Sequence, residues 1–178
     1  MICEFLADGF EELEAIAPLD ILRRAGVEVK TVGIGGKAVT GSHGITLQCD
    51  IMPEEIDREA LAGIILPGGP GRANLAKSLD VLEMLRVVSQ RGGMIAAICG
   101  APEILGLNGY LAGKRACCFP GSEKDLLGAQ VCYDPVVTEG NVITSRGAGT
   151  AVLFALALVE YLVSPEKAHE IAAQIQCP

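Results

Sequence analysis

Short apolar runs rich in β-branched residues alternate along the chain with longer segments of helical spacing and with glycine-rich turns. A chain built this way buries both kinds of segment economically only as βα units around a largely parallel sheet, so the fold class is α/β. Ile2 to Ala7 is the first buried strand, followed by an acidic turn and a helix running to Arg24 and Ala25, where Gly26 supplies a stop. Pro18 lies inside that helix, which predicts a bend or a late start. Val27 to Val32 reads as the second strand, with Lys37–Thr40 and Ile45–Cys49 as a hairpin projecting from it. Ala62 to Leu66 is the next strand and ends in the turn Pro67-Gly68-Gly69-Pro70-Gly71. Leu79 to Val88 has helical spacing, Arg91-Gly92-Gly93 closes it, and Met94 to Ile98 follows as a strand. Shorter strands are predicted near Ala116 to Phe119, around Val131 and Val136, and at Val142 to Thr144. An apolar helix from Thr150 to Leu162 comes next, and Ser164-Pro165-Glu166 caps a final amphipathic one.

The 178 residues fit one domain, and half of them are hydrophobic, enough for a sizeable core. Fourteen basic against 22 acidic residues give a net charge of −8, which disfavours nucleic acid and anionic membranes as main partners. The N-terminus lacks a basic region and its apolar run is broken by acids, unlike a signal peptide. No apolar stretch reaches membrane-spanning length: Ala148 to Val163 is short and contains Glu160. Seven cysteines without paired spacing point to free thiols in a reducing compartment, with the cytoplasm as the expected location. No C-x-x-C occurs and the two histidines, His43 and His169, are far apart, so no metal is expected.

Chemistry concentrates where the strand Met94–Ile98 meets the helix beginning at Gly100-Ala101-Pro102. Cys99 stands at that junction, against unpaired backbone N–H groups and the positive end of a helix, both of which favour thiolate over thiol. The N–H of Gly100, with one from the turn at Gly68 and Gly69, would form an oxyanion hole. A buried, inert thiol is the competing reading. Asp8-Gly9-Phe10-Glu11-Glu12-Leu13-Glu14 follows the first strand at the same sheet edge. Glu11 and Glu12 read as solvated first-turn acids, whereas one inward-facing carboxyl would keep its proton through burial and could exchange protons with a neighbouring sulfur.

Four motifs occur in order: Ala7-Asp8-Gly9-Phe10-Glu11-Glu12-Leu13-Glu14, Leu66-Pro67-Gly68-Gly69, Ala96-Ala97-Ile98-Cys99-Gly100-Ala101-Pro102 and Thr144-Ser145-Arg146-Gly147-Ala148-Gly149-Thr150. Together, and with Glu166-Lys167-Ala168-His169-Glu170, they resemble the DJ-one/ThiJ/PfpI superfamily over essentially the whole chain, closest to bacterial ThiJ and YajL-like proteins of its DJ-one branch. The resemblance implies a flavodoxin-like three-layer sandwich with a mostly parallel central sheet and a nucleophile elbow, one domain spanning residues 1–178, and a homodimer. It implies Cys99 as nucleophile, Glu14 as its protonated carboxyl partner, and the N–H groups of Gly69 and Gly100 around an oxyanion or an oxidised cysteine. It further implies a cofactor-independent glyoxalase or deglycase acting on methylglyoxal or its early adducts on protein. The alternative is a redox-responsive sensor or chaperone in which Cys99 becomes a sulfinate. A Cys-type amidase or protease and a thiamine-biosynthesis role rest on family naming alone.

Two departures qualify the resemblance. Arg115-Ala116-Cys117-Cys118-Phe119-Pro120 carries phenylalanine where animal relatives have histidine, as YajL-like members also do, which leaves proton transfer to Glu14, Cys99 and water. Position 100 is glycine where the protease branch has histidine, which argues against a Cys-His hydrolase. Phe119, Pro120 and Arg146 are candidate pocket residues, although Arg146 reads equally as a loop-stabilising arginine. Cys117 and Cys118 read as packing thiols, Cys177 as an exposed one, and His43 as a turn residue near a mouth or dimer edge.

Overall fold

A computed structural model describes residues 1–177 and shows a three-layer α/β fold. Its strands and helices are β1 (Ile2–Ala7), α1 (Glu12–Arg24), β2 (Val29–Ile34), β3 (Ala38–Thr40), β4 (Thr46–Gln48), β5 (Gly63–Leu66), α2 (Arg72–Lys77), α3 (Leu79–Gln90), β6 (Met94–Ile98), α4 (Pro102–Leu107), β7 (Arg115–Ala116), β8 (Gln130–Val131), β9 (Val136–Glu139), β10 (Val142–Ser145), α5 (Ala151–Leu162) and α6 (Pro165–Gln174). The central sheet runs β2-β1-β5-β6-β10-β9. All its pairings are parallel except the edge pair β10–β9.

Because the central strands are covered on both faces, their alternating residues feed two cores. Cys3, Phe5, Ala7, Ile64, Leu66, Ile95 and Ala97 meet Leu75, Leu85, Val88, Ile104 and Leu105 of α2, α3 and α4. Ile2, Ile65, Ala96, Ile98 and Ile143 meet Ile21, Leu22, Phe154, Leu158 and Ile171 of α1, α5 and α6. A fully buried side chain such as Phe5 or Phe154 contributes about 1.5–3 kcal/mol by leaving water. The small β3–β4 hairpin closes a third cluster of Leu6, Phe10, Ala15, Val39 and Cys49. Strand order reverses between β1 and β5, and in such sheets the crevice beyond the strand ends at that reversal is where ligands bind. The loops after β1, β5, β6 and β10 therefore converge on one edge.

Local departures from the sequence reading have local causes. The second strand begins at Val29 because the Val27 N–H is already taken by the Leu22 carbonyl at 3.0 Å. Helix α1 is continuous across Pro18, whose ring removes one internal hydrogen bond without ending the helix. Only Arg115–Ala116 of the predicted 116–119 strand pairs as a strand, since the Cys117 N–H turns to Thr144 Oγ1 at 3.0 Å and the Phe119 N–H to the Cys99 carbonyl at 2.7 Å. Helix α2 has no counterpart in the sequence reading. The cap of α6 agrees with expectation: the Ser164 side chain accepts from the Lys167 N–H at 3.2 Å. All seven cysteines are free, and Cys177 is half-buried rather than exposed. Among the described residues no helix is long and apolar enough to cross a membrane.

One residue of β1 breaks the apolar rule. Glu4 is fully buried, and neither of its carboxyl oxygens has a hydrogen-bond partner. Burial holds its carboxyl pKa well above the ordinary range, against the opposing charge of Arg23.

Candidate active site

Cys99 follows the last residue of β6, its N–H still continuing the ladder to the Ser145 carbonyl at 2.9 Å. It then adopts φ = 65°, the left-handed region that a non-glycine residue enters at a cost of order 1–3 kcal/mol. That turn is a nucleophile elbow: it lifts the half-buried sulfur out of the sheet edge before α4 begins. The backbone N–H groups of Gly100 and Gly69 face the sulfur and favour its anion. Helix α4 has only six residues, so those two N–H groups, rather than a long helix dipole, supply the local positive field.

Glu14 comes from the first turn of α1 and is 1% exposed. Glu11 fixes that turn by accepting the Glu14 N–H at 2.9 Å, as an N-cap. Glu14 Oε2 accepts the Gly68 N–H at 2.8 Å, whereas Oε1 has no hydrogen-bond partner. Gly68 therefore corrects the sequence reading: its N–H holds the carboxyl group, leaving Gly69 and Gly100 as the donors at the sulfur. A Cβ built on Gly68 would stand 2.7 Å from both Cys99 Cβ and Glu14 Oε2, which shows how closely the two functional side chains approach across it.

Burial pushes the Glu14 carboxyl up to about 7, against the Gly68 N–H and Cys99, which favour its anion. The Cys99 thiol is pushed up to about 12, first by burial and then by the negative charge of the neighbouring Glu14. The expectation of a lowered thiol pKa is thus corrected. Two acids in one desolvated space cannot both ionise easily, so from about pH 7 upward the pair carries one negative charge and shares one proton. Passing that proton from sulfur to carboxylate changes no net charge, which suits a nucleophile that deprotonates as it attacks.

Beside the pair lies a largely apolar hollow of about 340 Å³ lined by Phe119, Pro120, Pro135, Arg146 and the 147–150 loop. The three expected pocket residues thus share one wall. Its Gly147 borders the pair itself, since a Cβ there would lie 3.4 Å from the Phe119 ring and 3.9 Å from Glu14 Oε1. Phe119 is half exposed and brings no titratable group, so proton transfer falls to Cys99, Glu14 and water. Arg146 braces the loop, its Nη1 donating to the Tyr133 carbonyl at 3.4 Å.

Other residues singled out in the sequence have structural roles. Glu12 is buried rather than solvated and accepts from the His43 N–H at 2.7 Å and the Ile45 N–H at 3.4 Å, with His43 Nδ1 at 2.9 Å from its other oxygen. Burial opposes its ionisation, yet these bonds prevail and hold its pKa at about 2. Glu11, Glu12 and His43 bring ligand-type atoms within 4.8 Å of one another, but both Glu12 oxygens are engaged with the hairpin turn, and the cluster acts as a clasp. Cys117 is packed with its thiol donating to the Thr144 carbonyl at 3.3 Å, and Cys118 is buried in the core of α2, α3 and α4. His169 lies in a groove between α5 and α6.

Sequence reasoning passed over Arg72 and Glu103, which join at 3.0 Å beside the two donor glycines. A Cβ on Gly100 would stand 2.5 Å from Arg72 Nε, so any side chain there would have to displace the arginine from this position.

The profile of the DJ-1/PfpI family matches residues 1–161. Protein dj-1beta of Drosophila melanogaster is 40% identical over 171 residues, covering 94% of this chain and 91% of its own. The crystal structure of Drosophila melanogaster DJ-1beta superposes with a TM-score of 0.94 at 36% identity, covering 99% of this chain and 97% of that one. Glutathione-independent glyoxalase DJR-1.2 of Caenorhabditis elegans is 35% identical over 162 residues, 90% of this chain and 87% of its own. Deglycase PYRAB04690 of Pyrococcus abyssi is 32% identical over 145 residues, 80% and 87% respectively.

Proposed function

The chain belongs to the DJ-1/PfpI family, and from that premise we propose that it is a cofactor-independent glyoxalase or deglycase whose reactive pair is Cys99 and Glu14. One observation carries this reading: a buried carboxyl group beside a half-buried thiol, with the backbone N–H groups of Gly69 and Gly100 aimed at the sulfur. The names of the Caenorhabditis and Pyrococcus relatives support the reaction class.

With methylglyoxal, the Cys99 sulfur attacks the aldehyde carbon as its proton passes to the Glu14 carboxylate. The carbonyl π pair moves to oxygen, where the Gly69 and Gly100 N–H groups face the developing charge. The Glu14 carboxyl returns that proton to the oxyanion, giving the hemithioacetal, and as the carboxylate it then carries the aldehyde-derived C–H proton to the neighbouring ketone carbon through an enediol. The first carbon is thereby oxidised to a thioester and the second reduced to a carbinol. Water then cleaves the thioester, releasing lactate and the free thiol; the sum is methylglyoxal plus water to lactate, with no external oxidant or reductant. An early hemithioacetal or aminocarbinol adduct on a protein side chain presents the same two carbons.

Lactate formation from methylglyoxal by the purified protein tests this reading. Cys99→Ser is expected to abolish it, and Glu14→Gln to lower it by about 10²-fold or more, the usual range for losing a general acid–base. Turnover at the wild-type rate in Cys99→Ser would sink the proposal. The sensor reading is favoured by the same geometry, since two N–H donors and a protonated Glu14 suit the oxygens of a sulfinate formed by two equivalents of peroxide. Selective addition of two oxygens at Cys99, without turnover above buffer, would favour it.

A homodimer and a cytoplasmic location complete the proposal. Leu13 and Ile16 of α1 and Val152 and Leu153 of α5 leave an apolar surface, with 60% of Leu13 exposed, on two helices packed against each other. Sedimentation at micromolar concentration is expected to give twice the monomer mass, and Leu13→Glu to return it to the monomer.

A further inference from the structure

Both donor glycines touch the same side chain. Arg72 opens α2; its Nη1 donates to the Gly69 carbonyl at 3.4 Å, and the Arg72 backbone N–H donates to that carbonyl at 3.2 Å. Its guanidinium lies against the Cα of Gly100, where a Cβ would stand 2.5 Å from Nε and 3.0 Å from Cζ. Nε donates to Glu103 Oε1 at 3.0 Å, and the Glu103 N–H in turn donates to the Gly100 carbonyl at 3.1 Å. The arginine and glutamate side chains are 35% and 18% exposed, so the pair is better shielded than a surface ion pair.

These contacts close a ring that runs from the Gly69 carbonyl through Arg72 and Glu103 to the Gly100 carbonyl. Each carbonyl belongs to a residue whose own N–H faces Cys99. Holding the carbonyls and the Gly100 Cα sets the planes of the peptides on either side. Neither Gly69 nor Gly100 has a side chain with which to fix itself, and Gly69 sits at φ = 79°. We infer that the Arg72–Glu103 ion pair is a positioning device that sets the distance and direction of the Gly69 and Gly100 N–H groups around the Cys99 sulfur. Neither residue is catalytic, since both act through the backbone of the turns they clamp. The inference rests on Cys99 being the reactive group but on no particular substrate.

Alkylation of Cys99 by iodoacetamide, followed by intact mass across pH, tests it without turnover. Glu103→Gln is the decisive variant because it keeps the arginine and the shape of its partner while weakening the clasp. If the pair acted only through charge, losing a negative group would ease ionisation of the thiol and raise the alkylation rate between about pH 7 and 9. Positioning predicts the opposite: an alkylation rate lowered about tenfold over the same range, as for a thiol harder to ionise by about one unit. Arg72→Met is expected to do the same more strongly, and Arg72→Lys to recover part of the loss. Should Arg72→Met fail to fold, the Glu103→Gln and Arg72→Lys profiles decide the matter. An unchanged or faster alkylation rate in Glu103→Gln overturns the inference. With methylglyoxal, positioning predicts a fall in kcat with KM changed less than about twofold, because the oxyanion forms only after binding. An alkylation effect in a protein that turns over no methylglyoxal would leave the clasp standing and the glyoxalase reading fallen.

Discussion

Replacing Glu4 with methionine is expected to raise the melting temperature by about 5–10 °C at pH 8, and by clearly less at pH 4.5. Glu4 is fully buried, its two carboxyl oxygens have no partner, and its carboxyl ionises well above 4.5 in the folded protein. In the unfolded chain the same group ionises near 4.5. A folded pKa above the unfolded one means that stability is full below 4.5 and falls as pH rises, by about 1.4 kcal/mol per pH unit until the folded group also ionises. Methionine fills a similar volume, removes two unpartnered oxygens and removes the titration, a gain of about 2–4 kcal/mol at pH 8. Glu4→Gln separates the two effects, because it keeps the polar atoms but abolishes the pH dependence. Glu14, raised to about 7, imposes its own loss of stability between 4.5 and 7, on the order of 3 kcal/mol. That loss is common to wild type and variant, so the difference between their pH profiles belongs to Glu4. Thermal unfolding at several pH values measures it, and a Glu4→Met protein that melts lower than wild type at pH 8 would contradict the account.

Gly68→Ala is expected to leave the protein folded but cut the alkylation rate of Cys99 and any lactate formation by about 10²-fold. Gly68 is not among the residues with positive φ, so alanine meets no backbone objection there. The added methyl would stand 2.7 Å from Cys99 Cβ, 2.7 Å from Glu14 Oε2 and 3.1 Å from Cys99 Sγ, well inside contact distance. Something must yield, and the movable parts are the two functional side chains and the Gly68 N–H bond that holds Glu14. Overpacking of this kind costs about 1–3 kcal/mol of stability, so unfolding curves should shift far less than activity. Near wild-type alkylation and turnover in Gly68→Ala would show that the sulfur and carboxyl group do not work at the separation seen here.

The readable parts of this chain are those where neighbouring residues suffice. The apolar runs at Ile2–Ala7, Gly63–Leu66 and Met94–Ile98 announce buried parallel strands, and the Ser164 cap and Gly26 stop announce helix ends, because each signal lies within one turn or strand. Cys99 is legible for the same reason, as a cysteine placed directly after a strand. Local position alone does not separate Glu14 from the other acids after β1; the family resemblance singles it out. Tertiary structure decided the rest. Whether Cys99 is a thiolate depends on how deeply Glu14 is buried beside it, and desolvation and charge repulsion act through space between residues 85 positions apart. Gly68 changes from oxyanion donor to carboxyl holder because its N–H meets Glu14, and Glu12 changes from surface acid to clasp because a hairpin folds over it. Arg72 and Glu103 carry no local mark at all; they matter because the folded sheet brings two glycine turns to the same guanidinium. Backbone direction and residue chemistry are set at short range along the chain, whereas proton affinity and orientation are set by neighbours that only the closed fold supplies.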